Sequence, residues 1–164
     1  MLSLEQANNK ARAFALRLLK FRPRSEAELR QRLLRKGISQ ATTQTLVQEF
    51  RQKGLINDAK FARYLATQRM LSRPVGRRVL LTDLKSKGID SQLALAAVEE
   101  ATKRTPELEV ARGLALERIA HLKGLEPGTV KRRLFGFLSR RGFSSEVIFK
   151  VMREGGGTSP DDES

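Results

Sequence analysis

The chain has 164 residues, 40% of them hydrophobic, with 32 Lys and Arg against 18 Asp and Glu and a formal net charge of +14. That apolar content supports packed cores and excludes a disordered chain. The absence of cysteine excludes a disulfide framework, thiol chemistry and a thiolate metal site, and fits a reducing cytoplasm. Asp161, Asp162 and Glu163 lie in the last ten residues, so the rest of the chain carries +17, 32 basic against 15 acidic side chains. A charge that large repels itself in the folded state and is best matched by a polyanion. Nucleic acid, or a partner already coated on nucleic acid, comes first. A membrane surface comes second, because no strongly apolar face accompanies the basic ones. Met1 to Lys10 is polar and lacks an apolar signal region, and no apolar run approaches the roughly 20 residues of a membrane span. The expectation is a cytoplasmic protein.

In chain order, residues 1–9 read as a polar lead. A first helix is predicted from about Lys10 to Lys20, with Ala11, Ala15, Leu18 and Leu19 on one stripe. Phe21-Arg22-Pro23-Arg24 breaks it, since a proline disfavours helix in the residue before it. Ser25-Glu26-Ala27-Glu28 reads as a capping box that starts a second helix, which runs through Leu29 and Leu33 to Lys36 and stops at Gly37. Ser39 caps a third helix with Thr43, Leu46, Val47 and Phe50 inward, ending near Gly54. Asp58 is the expected N-cap of a fourth, carrying Phe61, Ala62 and Leu65 inward. Arg73-Pro74-Val75-Gly76 is the next break and Arg77 to Lys87 the next helix. Asp90 caps a helix built on Leu93, Ala94, Ala97, Val98 and Ala101, and Thr105-Pro106 is a boundary. A helix with Leu108, Ala111, Ala115, Ile119 and Leu122 follows, then a break over Gly124 to Gly128. Helix from Thr129 to Arg141 and a last one capped by Ser144, with Val147, Ile148, Val151 and Met152 inward, complete the array. Gly155-Gly156-Gly157 opens a polar, acidic tail expected to be disordered.

One stretch recurs three times: Lys36-Gly37-Ile38-Ser39, Lys87-Gly88-Ile89-Asp90 and Arg141-Gly142-Phe143-Ser144. Each is a helix stop followed by a restart: glycine ends one helix in the left-handed conformation and Ser or Asp caps the next. The pairs Leu29/Leu33, Leu80/Leu84 and Leu134/Leu138 lie at the same offsets before each glycine, Val47, Val98 and Met152 after it, and Pro23, Pro74 and Pro127 near the same place upstream. A unit of roughly fifty residues therefore occurs three times. The predicted fold is all-α, with three tandem three-helix repeats (10–57, 58–104 and 105–154) stacked into an elongated array, followed by the tail 155–164. Units this small hold little core alone and stack on neighbours.

Catalytic material is scarce. His121 is the one histidine and reads as a surface residue, which leaves nothing from which to build a Ser-His-Asp or Cys-His nucleophile. No phosphate-loop motif occurs, and Gly155-Gly156-Gly157 lacks the lysine and following helix that such a loop needs. Glu99 and Glu100 are adjacent, about 100° apart on a helix, and form no carboxylate pair. The expectation is a protein that is no enzyme and holds no cofactor or metal. The basic residues carry more information, because the middle helix of every repeat holds them. They are Arg30, Arg32, Arg35 and Lys36, then Arg77, Arg78, Lys85 and Lys87, then Lys131, Arg132, Arg133, Arg140 and Arg141. The breaks add Arg22, Arg24 and Arg73. A polyanion-binding face on the middle helices is the functional expectation, and solvation of exposed helix faces is its alternative. A helix-turn-helix reader would put its cations on the third helix, yet Ser91 to Thr102 has no Lys or Arg. Phe14, Phe50, Phe61, Phe135 and Phe143 fall on or beside apolar stripes and do not form a base-stacking platform.

Arg24-Ser25-Glu26-Ala27-Glu28-Leu29 with Leu33-Leu34-Arg35-Lys36-Gly37-Ile38 resembles the opening repeat of the RecX regulatory proteins. Gly54-Leu55-Ile56-Asn57-Asp58-Ala59-Lys60-Phe61-Ala62 is similar to that family's junction between repeats. Gly76 with Leu84, Lys87, Gly88 and Ile89 resembles its second repeat, and Arg140 to Ser144 its third. Arg77 stands where the family usually has proline, and Asp83 where it has Glu. The resemblance spans about residues 10–153 and implies a curved monomer of three-helix repeats that modulates the RecA recombinase. Such a protein binds the RecA filament on single-stranded DNA, limits its extension and lowers its recombinase, ATPase and co-protease activities. Under that implication Arg22, Arg24, Arg73, Arg77, Arg78, Lys85, Lys87, Lys131, Arg132, Arg133, Arg140 and Arg141 become the residues that face filament or DNA. The alternative is a general basic nucleic-acid-binding protein that holds the phosphate backbone.

Overall fold

Every expected stop and restart of the chain produces a helix boundary in the computed structural model, which describes residues 4–155. Those residues form nine α-helices and no strand: α1 (Leu4–Phe21), α2 (Glu26–Arg35), α3 (Gln40–Gln52), α4 (Asp58–Ser72), α5 (Arg77–Ser86), α6 (Ser91–Arg104), α7 (Glu107–Ala120), α8 (Pro127–Arg140) and α9 (Ser145–Gly155). The architecture is all-α, three helix triplets in sequence. Ser25 caps α2 with the full reciprocal box, its hydroxyl accepting from Glu28 N–H and the Glu28 carboxylate accepting from Ser25 N–H. Ser39, Asp90 and Ser144 accept from Thr42, Gln92 and Val147 N–H, so one orphan donor at the start of α3, α6 and α9 is satisfied.

Three boundaries differ from expectation. α1 begins at Leu4, so residues from there to Asn9 are helix and not a lead; nothing in Glu5 to Asn9 breaks a helix, and Asn8 accepts from the Thr42 hydroxyl of α3. Asp58 is not the cap of α4. Asn57 accepts from Lys60 N–H at 2.9 Å, while Asp58 turns to take Glu26 N–H at 2.8 Å, capping α2 from a distance. Pro127 belongs to α8 as its first residue, where a missing N–H costs nothing. The expected disordered tail lies outside the described residues, apart from Gly155 at the end of α9.

The turns after α2, α5 and α8 share one hydrogen-bond pattern. Ile38, Ile89 and Phe143 N–H each return to the carbonyl of the leucine five residues earlier, Leu33, Leu84 and Leu138, at 3.2–3.3 Å. This is the Schellman closure, with glycine in the left-handed region at φ +83°, +75° and +92°. The paired leucines of the repeat are all buried: Leu29, Leu33, Leu80, Leu84 and Leu138 fully, Leu134 nearly so.

Compact packing cuts across the triplets. One compact unit takes the residues up to Leu65 together with Asp83–Ala97, and the other takes Ala66–Thr82 together with the residues from Val98 onward. α4, α5 and α6 each give one end to each unit. In the first unit Ala11, Ala15, Leu29, Leu33, Leu46 and Phe50 are central to the core. In the second, Ala111, Ala115, Leu134, Leu138, Phe143 and Ile148 are.

A latch recurs once in each unit. In the first, the Ser25 hydroxyl donates to the Lys87 carbonyl at 2.5 Å, and a Cβ on Gly88 would collide with the Cβ of Ala27. In the second, Gly76 N–H donates to the Arg141 carbonyl at 2.8 Å, and a Cβ on Gly142 would lie 2.6 Å from Val79 N. Each time, the break before a middle helix plugs into the carbonyl that precedes the next repeat's glycine. A Cβ on Gly37 meets nothing within 4 Å.

Candidate nucleic-acid interface

The cations singled out from the sequence divide into those used inside the fold and those left over. In the first unit, Arg22 grips Glu28 with both Nη atoms at 3.0 and 3.1 Å, and Lys87 Nζ reaches the same carboxylate at 3.4 Å. Burial pushes Glu28 up, but the Arg22 hydrogen bond and charge, the Ser25 N–H and Lys87 outweigh it, and its pKa lies below the ordinary value. Arg24 is half-buried and donates Nε to the Leu18 carbonyl; burial first, then the neighbouring Arg22 charge, lowers its pKa. These three cations hold the α1–α2 break. Lys85, on α5, is exposed, and its side chain has no partner among the described residues.

In the second unit Arg77 Nη1 donates to the Thr102 hydroxyl, and Arg77 N–H to Glu107, tying the start of α5 to α6 and α7. Arg78 Nη2 donates at 2.6 Å to the carbonyl of Ser139 in the last turn of α8, where a cation also suits the helix dipole. Arg141 is half-buried, donating to the Pro74 carbonyl and lying over the Phe137 ring at 5.3 Å. Arg118, which the repeat pattern does not mark, stacks over the same ring at 5.3 Å. Arg73 is exposed, its carbonyl accepting from Arg69.

Lys131, Arg132, Arg133 and Arg140 on α8 remain. All four are exposed, and no carboxylate neutralises them among the described residues. Elsewhere in the second unit Glu99 pairs with Lys103, Glu100 with Arg104 and Glu154 with Arg112. Arg133 and Arg140 lie two turns apart on one stripe, and the Arg140 guanidinium rests over Gly136, where an added Cβ would lie 3.1 Å from Nη1. A stripe of this kind offers fixed positive charge to a backbone of phosphates or to an acidic protein surface. It has no nucleophile or acid–base pair. Among the described residues no group of three His, Asp or Glu is placed to hold a metal, and no helix is long and apolar enough to cross a membrane. His121 is exposed at the C-terminal end of α7.

The sequence reading found the α8 cluster. It could not separate that cluster from Lys87, Arg78 and Arg141, because the partners of those residues are distant in the chain. It also passed over Glu28 as an ion-pair hub, reading it as a cap alone.

Comparison with known proteins agrees with this architecture. The first, second and third three-helix domains of RecX match residues 11–50, 57–98 and 105–152. "Regulatory protein RecX" of Amycolatopsis mediterranei is 35% identical over 150 residues, covering 92% of this chain and 85% of that protein. The protein of the same name from Chlorobium limicola is 33% identical over 159 residues, covering 97% and 98%. The crystal structure of RecX from Lactobacillus salivarius superposes with a TM-score of 0.81 at 22% identity, over 92% of this chain and 97% of that one. Motifs, helix triplets and relatives lead to one conclusion: the chain belongs to the RecX family of regulatory proteins.

Proposed function

We propose that this chain regulates the RecA recombinase by binding its filament on single-stranded DNA and limiting filament extension, so that recombinase, ATPase and co-protease activities fall. It acts in the cytoplasm as a monomer and catalyses no reaction itself. The observation that carries this reading is the cluster of exposed arginines on α8, Arg132, Arg133 and Arg140, with no carboxylate partner among the described residues, in a chain whose net charge is +14. Phosphate, or the acidic surface of a DNA-bound filament, is its natural counterpart, and DNA is contacted directly or through the filament. Lys85 and Arg73 are auxiliary contacts. Arg22, Arg24 and Lys87 serve the fold first.

The test is RecA's DNA-dependent ATP hydrolysis, with this protein titrated from well below stoichiometric amounts. Inhibition at ratios too low to cover the DNA supports action on the filament. Inhibition only at DNA saturation supports the second reading, a general binder of the phosphate backbone, which the large net charge alone favours. Reversing Arg132 and Arg133 to Glu weakens inhibition about tenfold or more while the thermal midpoint stays within a few degrees, because neither side chain has a partner to lose. Unchanged inhibition by that variant removes α8 from the interface.

A further inference from the structure

The second unit carries a groove of about 560 Å³ between α7, α8 and the end of α9. Its apolar lining includes Ala115, Leu116, Ile119, Val130, Leu134 and Met152. Leu116 is 70% exposed there, although a helix that served only its own core would carry a polar residue at that position. The groove belongs wholly to one unit and is distinct from the Arg133–Arg140 stripe, which lies on another face of α8.

Two features say what fits it. Its walls are helices that spend their N–H and C=O groups internally, so an occupant finds no strand edge and must satisfy its own backbone. That selects a helix. Along α8 the groove runs from Pro127 through Val130 and Lys131 to Leu134, about 10 Å, the span between residues i and i+7 of a docked helix. The second feature is charge. Lys131 stands on the rim with no acidic partner among the described residues, and Arg112 also lines the groove, held to Glu154 at 2.6 Å. Among the described residues Glu154 is the one acid lining the groove, against Arg112 and Lys131, so the rim they form is net positive.

We infer that this groove is a docking site for an amphipathic helix of a protein partner, with aliphatic residues along one stripe and Asp or Glu beside it. The stripe covers Leu116, Ile119 and Val130, and the flanking carboxylates meet Lys131 and compete with Glu154 for Arg112. The inference stands whether or not α8 binds DNA.

The test uses the full chain and fluorescein-labelled peptides of about 18 residues, long enough to hold a helix. One has Leu at i, i+3, i+4 and i+7 positions on a Glu background. The second has the same composition with the stripe scrambled, and the third replaces Glu by Lys. Fluorescence anisotropy at about 0.15 M salt is expected to show saturable binding of the first peptide, with the other two at least tenfold weaker. Leu116→Glu weakens the first peptide about tenfold and leaves the circular dichroism melt unchanged, because the side chain is mostly in water. Lys131→Glu weakens the Glu peptide and improves the Lys peptide. Equal binding of striped and scrambled peptides overturns the inference, since only net charge is then being read. So does binding unaffected by Leu116→Glu. Binding that appears only after deletion of residues 156–164 assigns the groove to the chain's own tail and overturns a partner helix. Self-association abolished by Leu116→Glu, with no peptide bound, assigns it to a second copy and overturns it equally.

Discussion

Glu28 shows how one side chain can be read correctly from sequence and still be underestimated. Its spacing from Ser25 is enough to predict a capping box, and the box is present. The same carboxylate also receives Arg22 from the preceding break and Lys87 from the following repeat, and no local pattern encodes that convergence. Its pKa lies below the ordinary 4.5, so the ionised form stabilises the fold. That contribution is fully present above the ordinary value and is lost as pH falls through the lower folded value. Glu28→Gln is therefore expected to cost about 1–2 kcal/mol at pH 7. The deficit should shrink as denaturation curves are repeated toward pH 3, and a constant deficit would mean that shape, not charge, matters at this position. Asp58 has the opposite sign. Burial raises its pKa and the cap on Glu26 N–H offsets only part of that, so its ionisation weakens the fold slightly while its hydrogen bond strengthens it. No local signal distinguishes Asn57 from Asp58 as the cap of α4, because either side chain suits an N-cap and the choice depends on a helix 32 positions away.

At the scale of elements, the helices were legible because their punctuation is chemical: glycine where φ must be positive, Ser or Asp where an N–H must be accepted. The latch was not legible. The repeated glycines look like helix stops and nothing more, yet two of them also leave room for the first turn of the preceding repeat's middle helix. Gly37→Ala carries only the left-handed strain, about 1 kcal/mol. Gly88→Ala and Gly142→Ala add a collision with Ala27 or with the Val79 backbone, and each is expected to cost about 3 kcal/mol in chemical denaturation. Equal losses at all three positions would mean that the latch contributes nothing beyond the turn. The same limitation governs the basic helices. Arg78 and Arg132 look alike in the sequence, and only the carbonyl of Ser139, 61 positions away, makes Arg78 part of the scaffold.

For the whole molecule, the repeat is a unit of sequence more than a unit of stability. The first triplet has its own core, but Asp58, the Lys87 carbonyl and the Lys87 ammonium all come from beyond it. A fragment of residues 1–57 is expected to melt at lower temperature and less cooperatively than residues 1–104, which hold the complete first unit. Coincident melting curves would show that the contacts across the repeat boundary are energetically silent. The latch also has a direction: in both units a break engages the glycine turn of the next repeat and passes over the one in its own. A gene for such a protein lengthens without damage when the copied block runs from one glycine to the next, because each block then brings one plug and one socket. Any block of one whole repeat does the same wherever it is cut, and only a shorter or longer block strands a half-latch, so such arrays grow in steps of the spacing between Gly37, Gly88 and Gly142.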